Sequence, residues 1–135
     1  MTTKDVGDAG EAQALAHLLS QGLTLVERNY RVARGPNARG GEVDLILREP
    51  DGTLVFVEVR TRRGASQGGG SPGRTAFGGA AASVGVTKQR RLVLAAQHYL
   101  QRFKTLPACR FDVVTVEGQG AQAGIEWFRA AFDTS

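Results

Sequence analysis

Little in this chain suggests bound sulfur chemistry, membranes or secretion. Its 135 residues include one cysteine, Cys109, and two histidines. A lone cysteine excludes a disulfide framework and a cysteine-built zinc cluster. Cys109 has no histidine pattern beside it and is expected to be a small core residue. His17 and His98 show no ligand spacing and read as ordinary helix residues. No apolar run nears the roughly 20 residues that cross a bilayer. The opening Met1-Thr2-Thr3-Lys4-Asp5 lacks the apolar core of a secretion signal. The expectation is a cytoplasmic protein with no membrane partner. Glycines 68–70 form no phosphate loop, because no Gly-Lys-Ser/Thr follows them.

An apolar share of 41% and a charged share of 22% predict an ordinary globular chain. At this length one domain over residues 1–135 with a single core is expected. The formal net charge is +4, a moderate excess consistent with a nucleic-acid partner. Arg28, Arg31, Arg34 and Arg39 precede an acidic strand; Arg60, Arg62 and Arg63 follow a second acid; Lys88, Arg90 and Arg91 open a later helix. Solvated surface cations are the plainer reading of each one taken alone.

Apolar residues at helical spacing, Ala9, Ala12, Leu15, Ala16 and Leu19, predict a helix from about Asp8 to Gln21. Asp8 is the expected N-cap and Gly22 the stop. Leu23 to Val32 reads as a strand, residues 33–40 as a turn-rich loop, and about 42–48 and 53–62 as a hairpin. Residues 64–85 are rich in glycine, alanine and serine, with little apolar area to offset chain entropy. A flexible loop is expected there, either a lid or clamp beside Arg60 or a tolerated insertion. Thr87 would cap a second helix to about Phe103, whose buried face is Leu92, Ala95, Ala96, Tyr99 and Phe103. Residues 110–117 and 125–129 read as two further strands. Tyr30, Tyr99, Phe103 and Trp127 stand at core spacing. The fold class is therefore α/β, a mixed sheet of four to five strands flanked by helices.

Asp44 and Glu58 interrupt strands that otherwise read as buried, Gly41-Glu42-Val43-Asp44-Leu45-Ile46-Leu47 and Phe56-Val57-Glu58-Val59-Arg60. A buried acid is costly unless paired, protonated or bound to a metal. If Pro50-Asp51-Gly52 forms the loop, with Gly52 left-handed, Glu49 pairs with Thr53 and Asp44 lies opposite Glu58. Facing side chains are then about 5 Å apart at Cβ, within bridging distance of one cation. Arg60 shares the face of Glu58. A two-residue loop would instead pair Asp44 with Val59 and part the acids. Arg60 reads equally as a phosphate contact or as an ion pair to Glu58. Glu11, three residues after Asp8, fits a capping box as well as a site. Asp112 is most simply paired with Arg110 or Arg91.

The ordered motifs Gly7-Asp8-x-Gly10-Glu11, Asn29-Tyr30-Arg31, Gly41-Glu42-Val43-Asp44-Leu45-Ile46, Phe56-Val57-Glu58-Val59-Arg60 and Thr87-Lys88-Gln89 resemble the YraN-like family of bacterial proteins. Arg110-Phe111-Asp112-Val113-Val114 and Ala131-Phe132 extend the likeness over nearly the whole chain. That family looks like a branch of the restriction-endonuclease-like fold, similar to Holliday-junction resolvases. The resemblance implies a metal-dependent endonuclease on structured or branched DNA, with DNA favoured over RNA. Asp44 and Glu58 would match the metal-binding acids of the PD-(D/E)XK signature, with Mg²⁺ or Mn²⁺ as cofactor, and Glu11 the helix glutamate of resolvases. Arg60 stands where the signature has lysine. Arginine stays protonated and cannot take a proton from water. A non-catalytic nucleic-acid-binding module is therefore the alternative. Arg31, Arg62, Lys88 and Arg91 are the expected nucleic-acid contacts, and Lys88 would supply the missing amine if its helix reaches the site. Resolvase-like relatives act as dimers, so a homodimer is the implied assembly.

Overall fold

The computed structural model describes residues 3–33, 40–62, 84–118 and 124–132, with the side chains of residues 3–7 and of Arg62 outside that description. The elements are α1 (Thr3–Ser20), β1 (Thr24–Val32), β2 (Gly41–Arg48), β3 (Leu54–Arg62), α2 (Val86–Leu100), β4 (Cys109–Glu117) and β5 (Gly124–Phe132). The sheet has five strands in the order β1-β2-β3-β4-β5. All neighbours are antiparallel except β3 and β4, which are parallel. A parallel pair needs a crossover, and α2 lies in it. The α/β class and the mixed sheet are as the residues predict, and the architecture is compatible with a restriction-endonuclease-like arrangement.

Each helix covers its own face of the sheet. Ala14 and Leu18 of α1 pack with Leu45, Leu47, Val55, Val57, Val114 and Val116. Leu92, Ala95, Ala96 and Tyr99 of α2 pack with Val43, Ile46, Leu54, Phe56 and Val113. Two glycines set how closely the helices approach. A Cβ on Gly10 would fall 1.9 Å from Cγ2 of Thr61, so α1 crosses β3 at that point. A Cβ on Gly41 would fall 2.7 Å from both the Arg91 carbonyl oxygen and the Ala95 amide nitrogen, so α2 rests directly on the start of β2.

Several boundaries differ from expectation. The first helix begins at Thr3, so Asp8 is an interior residue of α1, and the capping-box reading of Glu11 falls with it. The second helix is preceded by Gly85, with no side-chain cap, and Thr87 lies inside it. Most of the expected flexible loop 64–85 lies outside the described residues. Its end does not: Val84 is buried in the α2-side cluster, and its carbonyl accepts a 2.7 Å bond from Nε2 of Gln89. Strand β5 runs three residues beyond the expected 125–129, to Phe132. Cys109 is exposed rather than a core residue.

Replacing Gly41 with alanine puts a methyl group against helix backbone, which cannot rotate away. We expect Gly41→Ala to cost about 1–3 kcal/mol, the usual price of overpacking. Gly124→Ala, where a Cβ would meet nothing within 4 Å, is the neutral control. Equal unfolding midpoints for the two in urea would contradict the close approach of α2.

Candidate functional site

The hairpin turn forms with the odd-length loop. Glu49 donates its N–H to the Thr53 carbonyl at 2.9 Å, and Gly52 donates to the Glu49 carbonyl at 2.8 Å with φ +96°. Asp51 Oδ1 accepts from the Thr53 amide at 2.9 Å. From there Arg48 faces Leu54 and Leu45 faces Val57. One step further, this register sets Asp44 against Glu58. The ladder stops there, although β2 continues back to Gly41 and β3 on to Arg62. The two strands part, and the Asp44 carboxylate takes over the abandoned backbone donor: Val59 donates its N–H to Oδ2 at 2.8 Å.

Alternation breaks at the same level. Val43 packs on the α2 side, whereas Leu45 and Leu47 pack on the α1 side. Residues two apart on a regular strand share a face, so β2 is re-aimed at Asp44. In β1, Arg28 reaches Glu11 on α1 while Tyr30 packs edge-on against Tyr99 on α2. Between them Asn29 adopts φ 50°, a left-handed conformation that asparagine tolerates better than most residues. Its Nδ2 donates to Oε1 of Glu11 at 3.1 Å, and Arg28 Nη2 donates to the same oxygen at 3.2 Å.

Glu58 is the most constrained group. Its side chain is 3% exposed, and Oε1 is buried with no hydrogen-bond partner when the group is ionised. Burial pushes its carboxyl up to about 8 from an ordinary 4.5, and the charge of Asp44 pushes it the same way. Lys88 and Arg60 oppose the rise. They lose because Lys88 Nζ stands 3.6 Å from Oε2 and Arg60 Nη1 4.0 Å, both beyond good hydrogen-bond length.

Among the described residues no three histidine, cysteine, aspartate or glutamate side chains form a metal cage. Asp44 and Glu58 nonetheless fit a hard divalent cation such as Mg²⁺, which is commonly held by one or two carboxylates plus water and substrate phosphate. The buried, unpartnered oxygen of Glu58 is the observation that favours the fit.

The other expected site residues divide into two groups. Glu11 and Arg31 line a cavity of about 460 Å³ with Asp8, Asn29, Asp44, Val59 and Thr61 on the α1 side. Lys88 and Arg91 come from α2, and both pair with Glu42, Lys88 at 3.5 Å from Oε2 and Arg91 onto Oε1. Arg60 is 43% exposed beside Glu58. Arg62 ends β3, and its side chain lies outside the described residues. Asp112 is paired with Arg110, as its simpler reading expects: Nε of Arg110 donates to its two oxygens at 3.0 and 3.1 Å, Trp127 Nε1 at 2.8 Å and the Ala130 amide at 2.9 Å. That carboxylate is fully used in structure.

Sequence reasoning gave no site role to Glu42 or Asn29 and placed Arg28 only among the flanking cations. A signal for Glu42 was present, since Lys88 and Arg91 sit in an α2 start that carries no acid of its own.

A family model described as "Uncharacterised protein family UPF0102" matches residues 10–116. A UPF0102 protein of Methylibium petroleiphilum is 60% identical over 135 residues, covering 100% of this chain and 99% of its own. One from an Acidovorax species is 56% identical over 134 residues, 99% of this chain and 89% of its own. One from Polaromonas naphthalenivorans is 52% identical over 140 residues, 100% of this chain and 83% of its own.

The raised Glu58 pKa has a definite sign in stability. A folded-state value above the unfolded one contributes stability that is complete below the unfolded value and lost as pH rises through the folded value. In EDTA, melting temperature should therefore fall as pH rises from about 4.5 to about 8. Glu58→Gln should flatten that slope. A slope unchanged by Glu58→Gln would mean that another group governs it.

Proposed function

The chain belongs to the uncharacterised family UPF0102, the YraN-like family its motifs resemble, and from its site we propose a divalent-metal-dependent endonuclease acting on branched or otherwise structured DNA. The observation that carries this reading is the carboxylate pair Asp44 and Glu58, set where β2 and β3 part, with one Glu58 oxygen buried and unpartnered. The resemblance to Holliday-junction resolvases directs the substrate towards branched DNA rather than RNA, and a homodimer goes with it. The excess of basic residues supports a polyanionic partner.

In the reaction, a water oxygen bonds to phosphorus, the bond from phosphorus to one sugar oxygen breaks, and that oxygen leaves as a hydroxyl carrying a proton from water. Asp44 and Glu58 would hold Mg²⁺ or Mn²⁺, which when bound supplies a water of lowered pKa and neutralises charge at the phosphate. Asp44 is fixed for that task by the Val59 amide. Glu11, fixed by Arg28 and Asn29, faces the same cavity as Asp44 and orders that side of the site. Arg60, half exposed next to Glu58, offers a permanent positive charge to non-bridging phosphate oxygens.

That arginine also favours a second reading, a nucleic-acid-binding module that does not cut, since a guanidinium cannot accept a proton. Cleavage assays on four-way and linear duplex DNA in Mg²⁺ separate the two. The nuclease reading expects cleavage by the wild type, lost in Asp44→Asn and in Glu58→Gln, while salt-sensitive binding survives in both. Cleavage by either variant at the wild-type rate would remove these acids from the mechanism. Binding without cleavage in the wild type would establish the second reading.

A further inference from the structure

A nuclease site of this type needs a cation against the phosphate, and Arg60, two residues after Glu58, is poorly placed to be the main one. Arg60 Nη1 only grazes Glu58 at 4.0 Å, and its side chain is 43% exposed. A second cation reaches further in from a different segment. Lys88, in the first turn of α2, is 27% exposed and sets Nζ between two carboxylates, 3.6 Å from Oε2 of Glu58 and 3.5 Å from Oε2 of Glu42. Resting on the nuclease reading above, we propose that Lys88 is the cation that grips the scissile phosphate beside Asp44 and Glu58, and that Glu42 is the residue that positions it.

The surroundings of Lys88 are built to hold it in place. Glu42 uses its two oxygens separately: Oε1 accepts from Nη2 of Arg91, and Oε2 faces Lys88. Arg91 is anchored in turn, its Nε donating to the Gly40 carbonyl at 3.4 Å. Gly41 lets α2 lie against β2 at this level, so the helix that carries Lys88 and the strand that carries Glu42 are locked together. The chain from Gly41 through Arg91 and Glu42 to Lys88 fixes an ammonium next to the acid pair without using any residue of β3.

Position and chemistry both argue against a purely decorative ion pair. A cation in the first turn of a helix opposes the macrodipole, and this turn has neither an acid nor a side-chain cap to compensate. The local helix therefore gains nothing from Lys88, and its partners among the described residues, Glu42 and Glu58, lie on strands β2 and β3. An ammonium is a compact charge with three donors that can contact a carboxylate and a phosphate oxygen together. It acts here as a charge throughout and exchanges no proton. Arg60, further out and 43% exposed, remains a second, outer charge for the bound strand.

The test uses the whole chain, with a duplex and a four-way oligonucleotide as probes, in wild type, Lys88→Met, Lys88→Arg and Glu42→Gln, each with its melting temperature measured. Binding is measured across a salt series and cleavage in Mg²⁺. Lys88→Met should lower the slope of log affinity against log salt by about 0.9, one phosphate contact. It should also lower kcat by about a hundredfold or more, as loss of one transition-state charge contact does. Lys88→Arg should restore the salt slope and part of the rate. Glu42→Gln should lower kcat on the order of tenfold to a hundredfold, with KM nearly unchanged, as misplacement of a contact does. A Lys88→Met protein that keeps both the wild-type slope and the wild-type rate overturns the proposal, whatever its melting temperature. If that variant does not fold, a Glu42→Gln protein with wild-type kcat overturns it instead. A wild type that neither binds nor cuts removes the nuclease reading and this inference together; a wild type that cuts, with Lys88 indifferent, removes this inference alone.

Discussion

The structure turns on the place where the β2–β3 ladder ends. Backbone donors and acceptors in a sheet interior must be paired, yet pairing stops after Leu45 and Val57 while both strands run on. The Asp44 side chain answers part of the debt by accepting the Val59 amide. That one contact holds a carboxylate at the fork and leaves its neighbour Glu58 buried against it. Without the fork, Asp44 and Glu58 would be two like charges facing each other across a regular ladder, a destabilising arrangement. With it, Asp44 lines the α1-side cavity while Glu58 stays buried.

Each helix is seated on its own face of the sheet by a glycine. Gly10 seats α1 on β3 and brings Glu11 to the level of Asp44 and Asn29. Gly41 seats α2 on β2 and brings Lys88 to Glu42 and Glu58. The two sides differ in character. On the α1 side, Glu11 is held by Arg28 and Asn29, and the cavity opens between acids and Arg31. On the α2 side, cations from the helix meet acids from the strands. Asp112, the buried acid of β4, is by contrast closed off by Arg110, Trp127 and Ala130.

Much of this was legible in the sequence where local chemistry decides the outcome. Pro50-Asp51-Gly52 offered an odd-length turn beside a two-residue one; the odd-length turn forms, and its register points Asp44 towards Glu58, although the ladder ends one pair short of them. The buried face of α2 followed from its spacing, with Leu92, Ala95, Ala96 and Tyr99 in the core. What escaped depends on tertiary contact. The break of alternation at Asn29 and Asp44 violates the period of two on which strand reading rests, so nothing in the pattern announces that Val43 and Leu45 face opposite ways. Asp8 looked like a cap because it is a good one in isolation, but α1 starts five residues earlier. Lys88 and Glu42 are 46 positions apart in sequence, and only the docking of α2 on Gly41 makes them neighbours. The resemblance to nuclease-like proteins marked Asp44, Glu58, Arg60 and Glu11 and offered Lys88 as an amine if its helix reached the site; the docking of α2 brings Lys88 there, nearer to Glu58 than Arg60.

The central claim is that the fork holds a divalent cation between Asp44 and Glu58. Calorimetric titration of Mg²⁺ and of Mn²⁺ into the metal-free wild type and into Asp44→Asn, near pH 8, tests it directly. The account predicts saturable binding to the wild type, accompanied by proton release from Glu58, and loss of that binding in Asp44→Asn. No saturable binding to the wild type, with or without duplex DNA, or equal binding to both proteins, would contradict it.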